Sequence, residues 1–312
     1  MLTKIFTLLF FLSINYAYST SPSLSDYGNN SKNILSANII KKKDKKLNGW
    51  YLTGNYGIYQ ANKHSAKFYN GKESNPNKLS YVFNNQYWYQ KIVDEMMDKV
   101  NRDSFKIAQL PLDMKYGLSM FVGFSARYFY ERNWALNLQF NHTKLQTADI
   151  FRLQVFPPFT GEVESYVDCK IRGVETRTTI DIGMIYTFNP KEDFTPFVEF
   201  GFNINNTLVK ESRINIFDEE YNLVDVYGHP YVPNVALTEY DIRQGGIGFG
   251  GFGGGGIRYV FNKLFAAELA GTLYYKSINL DIYNKHTLHG SFMLRLVISP
   301  FFAFSKQDEN VK

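Results

Sequence analysis

"WALNLQFNH", residues 134–142, alternates without a break: Trp134, Leu136, Leu138 and Phe140 fall on one side, Ala135, Asn137, Gln139 and Asn141 on the other. A helix advances about 100° per residue and would scatter these residues around its axis. A strand sends successive side chains to opposite faces and sorts them into one apolar and one polar set.

The same division recurs along the chain. "YGLSMFVGFSARYFY" sets Leu118, Met120, Val122, Phe124 and Tyr128 against Gly117, Ser119, Gly123, Ser125 and Arg127. "TRTTIDIGMIYTF", "TPFVEFGFNINN", "LFAAELAGTLYY" and "TLHGSFMLRLVISPF" divide alike. The weaker "WYLTGNYGIY" (50–59) and a glycine-rich segment (246–260) bring the expected strands to eight. Three connections read as tight, at Glu131–Asn133, Asn189–Asp193 and Asn262–Lys263. Four read as long, about 60–115, 145–175, 210–244 and 276–286. Short turns alternating with long loops predict an all-β fold, an eight-stranded antiparallel up-and-down transmembrane barrel with long extracellular loops. A soluble sandwich or lipocalin-like barrel alternates too, but it shows water a charged exterior. Here the polar face is largely Gly, Ser, Thr and Asn, and the other face is apolar along nearly every strand, which suits lipid.

Composition fits this reading. Aromatic residues make up 17% of the 312-residue chain, with 23 Tyr and 27 Phe, types that favour strands and membrane interfaces. Lys4, the apolar "IFTLLFFLSI" and Ala17-Tyr18-Ser19 make residues 1–19 an expected signal peptide, too short in its apolar run for the roughly 20 residues of a spanning helix. Residues 20–48, with "KKKDKK" at 41–46, read as a disordered periplasmic tail, 49–304 as the barrel and 305–312 as a short C-terminal tail. The net charge of +5 is modest and the basic residues are otherwise scattered, so no nucleic-acid partner is expected. Cys169 is the only cysteine and has no partner for an intramolecular disulfide.

Residues 244–259, "QGGIGFGGFGGGGIRY", contain a formal G-x-G-x-x-G at Gly248, Gly250 and Gly253. A phosphate cradle would need a helix to follow, but "IRYVF" and an Asn-Lys turn follow instead. As a strand, the stretch sends Ile247, Phe249, Ile257 and Tyr259 outward and Gly246, Gly248, Gly250 and Arg258 inward. The glycines are expected to leave room inside the wall.

The phrases "FVGFSARYFYERNWALNLQF", "TPFVEFGFNINN" and "RQGGIGFGGFGGGGIRYVFNKLFAAELAGTLYY" resemble eight-stranded opacity-type and OmpA-like outer-membrane barrels, and more particularly the major surface antigens of rickettsial bacteria. The resemblance spans about residues 50–304. It implies localisation in a bacterial outer membrane and a surface-antigen or adhesin-like role. Such chains usually end on an aromatic residue; here Phe301, Phe302 and Phe304 precede "SKQDENVK".

If the polar faces point inward, the lumen collects Arg127, Arg177, Arg258 and Arg295 with Asp181, Glu199 and Glu268. Eight strands enclose an interior just wide enough for side chains to fill, so these charges are expected to pair into a plug. A small-solute porin is the alternative. A lipid-modifying enzyme is the third reading, with His289 and Ser291 two apart on one face, or His142, as its candidates. No catalytic, cofactor-binding or metal-binding set is assigned; no cofactor is expected. In the first loop, Tyr89, Ile92, Val93, Met96, Met97 and Val100 recur at helical spacing and predict an amphipathic helix capping the barrel. The expected partners are outer-membrane lipid and, through the loops, a host-cell or extracellular protein.

Overall fold

The computed structural model describes residues 49–156, 164–190, 192–224, 243–262 and 264–299. The expected signal peptide, the 20–48 tail and the terminal aromatics lie outside the described residues. Ten strands and three α-helices occur among the described residues: β1 (Gly49–Gln60), α1 (Lys63–Ala66), α2 (Ser80–Phe83), α3 (Gln86–Val100), β2 (Ser104–Gln109), β3 (Ser119–Phe129), β4 (Trp134–Phe156), β5 (Ser165–Thr187), β6 (Phe194–Ile216), β7 (Glu219–Asn222), β8 (Gly245–Val260), β9 (Phe265–Ser277) and β10 (His286–Ile298). No described helix is long and apolar enough to cross a membrane.

Eight of the strands form a ring of antiparallel ladders in the order β1-β3-β4-β5-β6-β8-β9-β10. The first and last strands close it, from Leu52 opposite Ile298 to Gln60 opposite Gly290. The outer wall is apolar: Leu136, Leu138, Ile182, Phe200, Phe202, Phe249, Leu273 and Leu294 all stand exposed. A closed barrel that turns its apolar side outward and its charges inward is built for lipid, where closure also leaves no unpaired backbone edge. At the short-turn end, aromatic rings pair across neighbouring strands: Trp50 with Tyr128, Trp134 with Tyr186, Phe194 with Tyr259. They form the girdle expected where a barrel wall meets the interface.

At the other end the polarity of the strands inverts. On β4 the outward residues run Trp134, Leu136, Leu138 and Phe140, then His142, Lys144 and Gln146. The inward residues run Asn137, Gln139, Asn141 and Thr143, then Leu145, Phe151, Leu153 and Val155, all buried. Each side chain keeps its face; the surroundings change from lipid outside to water outside. His142, Thr178 and Asn206 stand side by side across β4, β5 and β6 and mark that boundary. Above it these three strands continue, and the β4–β5 ladder is unbroken up to Val155 opposite Ser165. The expected loop at 145–175 is therefore mostly strand, and β6 likewise runs on to Ile216. The period-two pattern persists here with its apolar and polar roles exchanged, which hid it from a reading that took the apolar face as the outer one.

The raised sheet, extended by β2 on β4 and β7 on β6, holds the first connection against its inner side. Helix α3 is started by Asn85, whose side chain accepts from the Trp88 amide, and ended by Asn101 in the left-handed conformation (φ 54°). Ile92 and Met96, from the expected apolar face, are fully buried; Met97 is exposed. Trp88 packs on Tyr221 and Tyr89 on Phe105, and Lys91 pairs with Glu219 and Lys99 with Asp218. Phe68, Leu79 and Val82 complete a cap core with Leu145, Phe151, Ile171, Ile214 and Leu223.

The glycine strand pairs as the sequence predicts, with Ile247, Phe249 and Ile257 outward. The room expected inside it is absent. A Cβ added at Gly250 would lie 2.3 Å from the Lys276 Cβ, and one at Gly254 2.4 Å from the Gly271 carbonyl oxygen. Glycine serves here for close strand approach, and the nearest large inward side chain on β8 is Phe252, resting against Tyr274.

The inversion line can be tested on β4, where Leu138 and Gln146 both face outward. Leu138→Arg is expected to destabilise the barrel by about 2–4 kcal/mol, since it places a charge in the lipid-facing wall. Gln146→Arg, beyond the line, should stay within about 0.5 kcal/mol. Urea titration of folding into vesicles, followed by heat-modifiable migration, measures both.

Candidate functional site

The lumen is layered along the barrel axis. At the short-turn end, Phe129, Ala135, Ile185 and Phe197 form an apolar floor, each buried. Directly above it, Glu268 Oε1 accepts from Arg127 Nη1 at 2.6 Å and from Arg258 Nε at 2.7 Å. The Arg258 guanidinium also lies 5.3 Å from the Phe129 ring centroid, so floor and charge layer are in contact. Glu199 is held in a two-pronged pairing by Arg295, Nη2 to Oε1 at 2.8 Å and Nη1 to Oε2 at 2.9 Å. Thr272 and Gln139 complete that pair, the hydroxyl donating to Glu199 and the amide oxygen accepting from Arg295. Arg295 Nη1 reaches Glu268 Oε2 at 3.6 Å, joining the pairs into one network of five charged side chains.

The fork of a guanidinium suits a carboxylate, and a fully buried charge is tolerated only with such a partner. The alternation of β3, β6, β8, β9 and β10 delivers these residues: each lies on the polar face of its strand, and the registers place Arg258 beside Glu268 and Glu268 beside Arg295.

Two of the seven sequence-derived lumen residues stand apart from this network. Asp181 accepts from Asn203 Nδ2 at 2.5 Å and from the Tyr274 hydroxyl at 3.2 Å. Arg177 sits higher, at the junction with the cap, where its Nε donates to Glu175 Oε1 at 2.6 Å and its Nη2 to Ser65 Oγ at 2.9 Å. Glu175 Oε2 accepts from the hydroxyls of Tyr69 (2.7 Å) and Tyr116 (3.0 Å), both supplied by the first connection. Burial, reinforced by the Glu175 carboxylate, holds the Tyr69 phenol well above its ordinary range, so it remains the donor. Tyr69 lies flat over Gly173, where an added Cβ would come within 2.3 Å of its ring; only glycine permits that seating.

Glu175 and a fully buried lysine, Lys276, are functional positions that sequence reasoning missed. Both fall in segments read as loop, although Glu175 lies two residues from Arg177 on the same face, a spacing that could have disclosed it.

The residues weighed for chemistry are occupied otherwise. His289 is almost fully buried; its Nδ1 accepts the Asn62 backbone N–H at 3.1 Å and also contacts the Tyr59 hydroxyl, while Nε2 meets Thr287 Oγ1. Nδ1 is thereby an acceptor and the ring is neutral. The Ser291 hydroxyl makes no hydrogen bond to it. His142 stands at the outer boundary against Thr178 Oγ1, 3.0 Å away. Among the described residues, no group of three His, Cys, Asp or Glu could hold a metal. Cys169 lies inside the cap core, where burial pushes its thiol up to about 12.

No protein-family model matches the chain, and no curated protein is significantly similar to it in sequence. Similar solved structures include Neisserial surface protein A, at 9% identity and TM-score 0.38, covering 80% of this chain and 96% of that one. Another is Ail, the attachment invasion locus protein of Yersinia pestis, in complex with the heparin analogue sucrose octasulfate (10% identity, TM-score 0.34, 81% and 99%). A third is the outer membrane protein OprG of Pseudomonas aeruginosa (11%, TM-score 0.31, 80% and 93%). The closed ladder, the lipid-facing wall and the aromatic girdle establish the class without relying on these likenesses. The chain is an eight-stranded transmembrane β-barrel. The finer resemblance to rickettsial surface antigens gains nothing from these structures.

Glu268→Gln would leave Arg127 and Arg258 without their shared anion, and a loss of about 3–5 kcal/mol in unfolding free energy is expected, read from urea titration. The native Cys169 thiol should resist maleimide at neutral pH and react fully once the chain is unfolded in urea. Rapid labelling of the folded protein would contradict its burial.

Proposed function

We propose that the protein is a surface-display barrel, antigen or adhesin in type, which presents its capped lobe to a host-cell or extracellular macromolecule and does not conduct solutes through its lumen. One observation carries this reading. The charge network is fully buried between an apolar floor at one end and an apolar cap core at the other, so a continuous water path would have to break both. The lobe beyond the inversion line is also more than a set of connecting loops. It has its own core, its helix is pinned by capping residues and ion pairs, and it offers exposed apolar side chains at Tyr87, Met97 and Leu112. Rigid scaffolds that hold recognition residues outside the membrane are the usual way a barrel is put to binding.

The small-solute porin is the opposing arm of the test, and no feature of the lumen favours it. Among the described residues, the lipid-modifying reading has no Ser–His hydrogen bond to support it.

Purified protein in planar bilayers should give no stable large conductance, and liposomes containing it should not swell in small sugars; sustained large channels would sink the display reading. Non-adherent Gram-negative cells expressing the chain should gain attachment to cultured animal cells. The double substitution Tyr87→Ser, Leu112→Ser should reduce that attachment several-fold while heat-modifiable migration is unchanged.

A further inference from the structure

Between the charge network and the cap junction lies a cavity of about 20 Å³, room for one water-sized occupant, whose lining includes Asn141, Thr143, Arg177, Thr179, Lys276 and Ser291. Lys276 comes from the inward face of β9 at the register of Gly250 and Thr287 and is fully buried. Its Nζ has no hydrogen-bond partner. What surrounds it instead is aromatic: the ring centroids of Tyr274 and Tyr59 lie at 4.7 and 5.3 Å. Two ring faces turned toward the ammonium supply no counter-charge.

Charge counting sharpens the point. Among the described residues the barrel lumen holds five buried cations, Arg127, Arg177, Arg258, Arg295 and Lys276, against four buried carboxylates, Glu175, Asp181, Glu199 and Glu268. Five less four leaves one positive charge, since His289 is neutral. Each arginine in that set touches a carboxylate within 4 Å. Lys276 makes no such ion pair; Asp181 is electrostatically coupled to it but is engaged by Asn203 and Tyr274. An isolated buried ammonium is strongly unfavourable, and a water in the cavity could solvate it without neutralising it.

We propose that this cavity binds one small monovalent anion of chloride size, held by the Lys276 ammonium with the Arg177 guanidinium as the second cation of its lining. So small a space suits a monatomic anion better than sulfate, phosphate or a carboxylate metabolite. The lining also explains why a halide would be retained: amide and hydroxyl groups surround the cations, and neither Glu199 nor Glu268 is among the residues that face it. Bound there, the anion completes the charge balance of the plug between the Glu268 network below and the Glu175 junction above.

The test uses the full chain, refolded in detergent at equal ionic strength in sodium chloride, sodium bromide or sodium gluconate. Chloride and bromide are expected to raise the thermal midpoint over gluconate by about 2–4 °C. In Lys276→Gln that difference should vanish, because the neutral amide has no charge to balance. Crystals grown in bromide should show an anomalous peak at hydrogen-bond distance from the Lys276 Nζ. The wild-type comparison and the bromide peak stand even if the variant does not fold. Equal midpoints in chloride and gluconate, a halide effect that survives in Lys276→Gln, or bromide found only on the outer surface would each overturn the proposal.

Discussion

In lipid a backbone N–H or C=O without a partner has no water to turn to, so a sheet that crosses a membrane must close on itself. The pairing of β1 with β10 is the contact on which the rest of this molecule depends. Once the ring is closed, every strand has one face toward lipid and one toward an interior only as wide as its own side chains. The apolar wall, the girdle of paired aromatics and the enclosure of charge all follow from that geometry. An arginine placed on the inner face of such a ring has no solvent to share and must find a carboxylate across it, as Arg127 and Arg258 find Glu268.

A second consequence concerns length. Strands β4, β5 and β6 run past the lipid boundary for another ten or so residues, and there water lies outside and protein inside. The same physical rule that turned leucine outward in the wall turns it inward above, which is why Leu138 and Leu145 point to opposite faces of one strand. The cap is therefore not an appendage laid over the barrel. It shares a continuous sheet with the barrel, and the hydroxyls of Tyr69 and Tyr116 tie it to Glu175 and thence to Arg177 at the top of the lumen. Removing the cap would expose that junction to water as well as the apolar core above it.

Much of this was legible in the chain itself. Alternation in "WALNLQFNH" and its counterparts identifies the eight strands of the ring and their lipid-facing residues, because side-chain direction in a strand is fixed by position alone; the short β2 and β7 fall in segments read as loop. The interior set from Arg127 to Arg295 could be named for the same reason, as could the apolar face of α3. Strand ends were less legible. Segments 145–156 and 165–175 alternate too, less regularly and with the signs reversed, and a single sequence does not say where one solvent gives way to another. Glu175 shares the fate of its segment, and Lys276 lies just beyond Tyr275, where the apolar–polar alternation of β9 ends.

What the sequence by itself determined is local and periodic: which residues share a face, where turns break the pattern, and that one face demands an apolar surrounding. The tertiary structure alone decided which charges meet. Arg127 and Glu268 are 141 residues apart and touch only because closure and register bring β3 and β9 to the same level of the lumen. It also decided that Arg177 serves the cap and not the main network, that inward glycines of β8 answer to strand contact, and that Lys276 faces a cavity with no ion pair of its own. Each of these depends on distances across the ring, set by the number of strands, their tilt and their stagger together, and no stretch of chain contains that information.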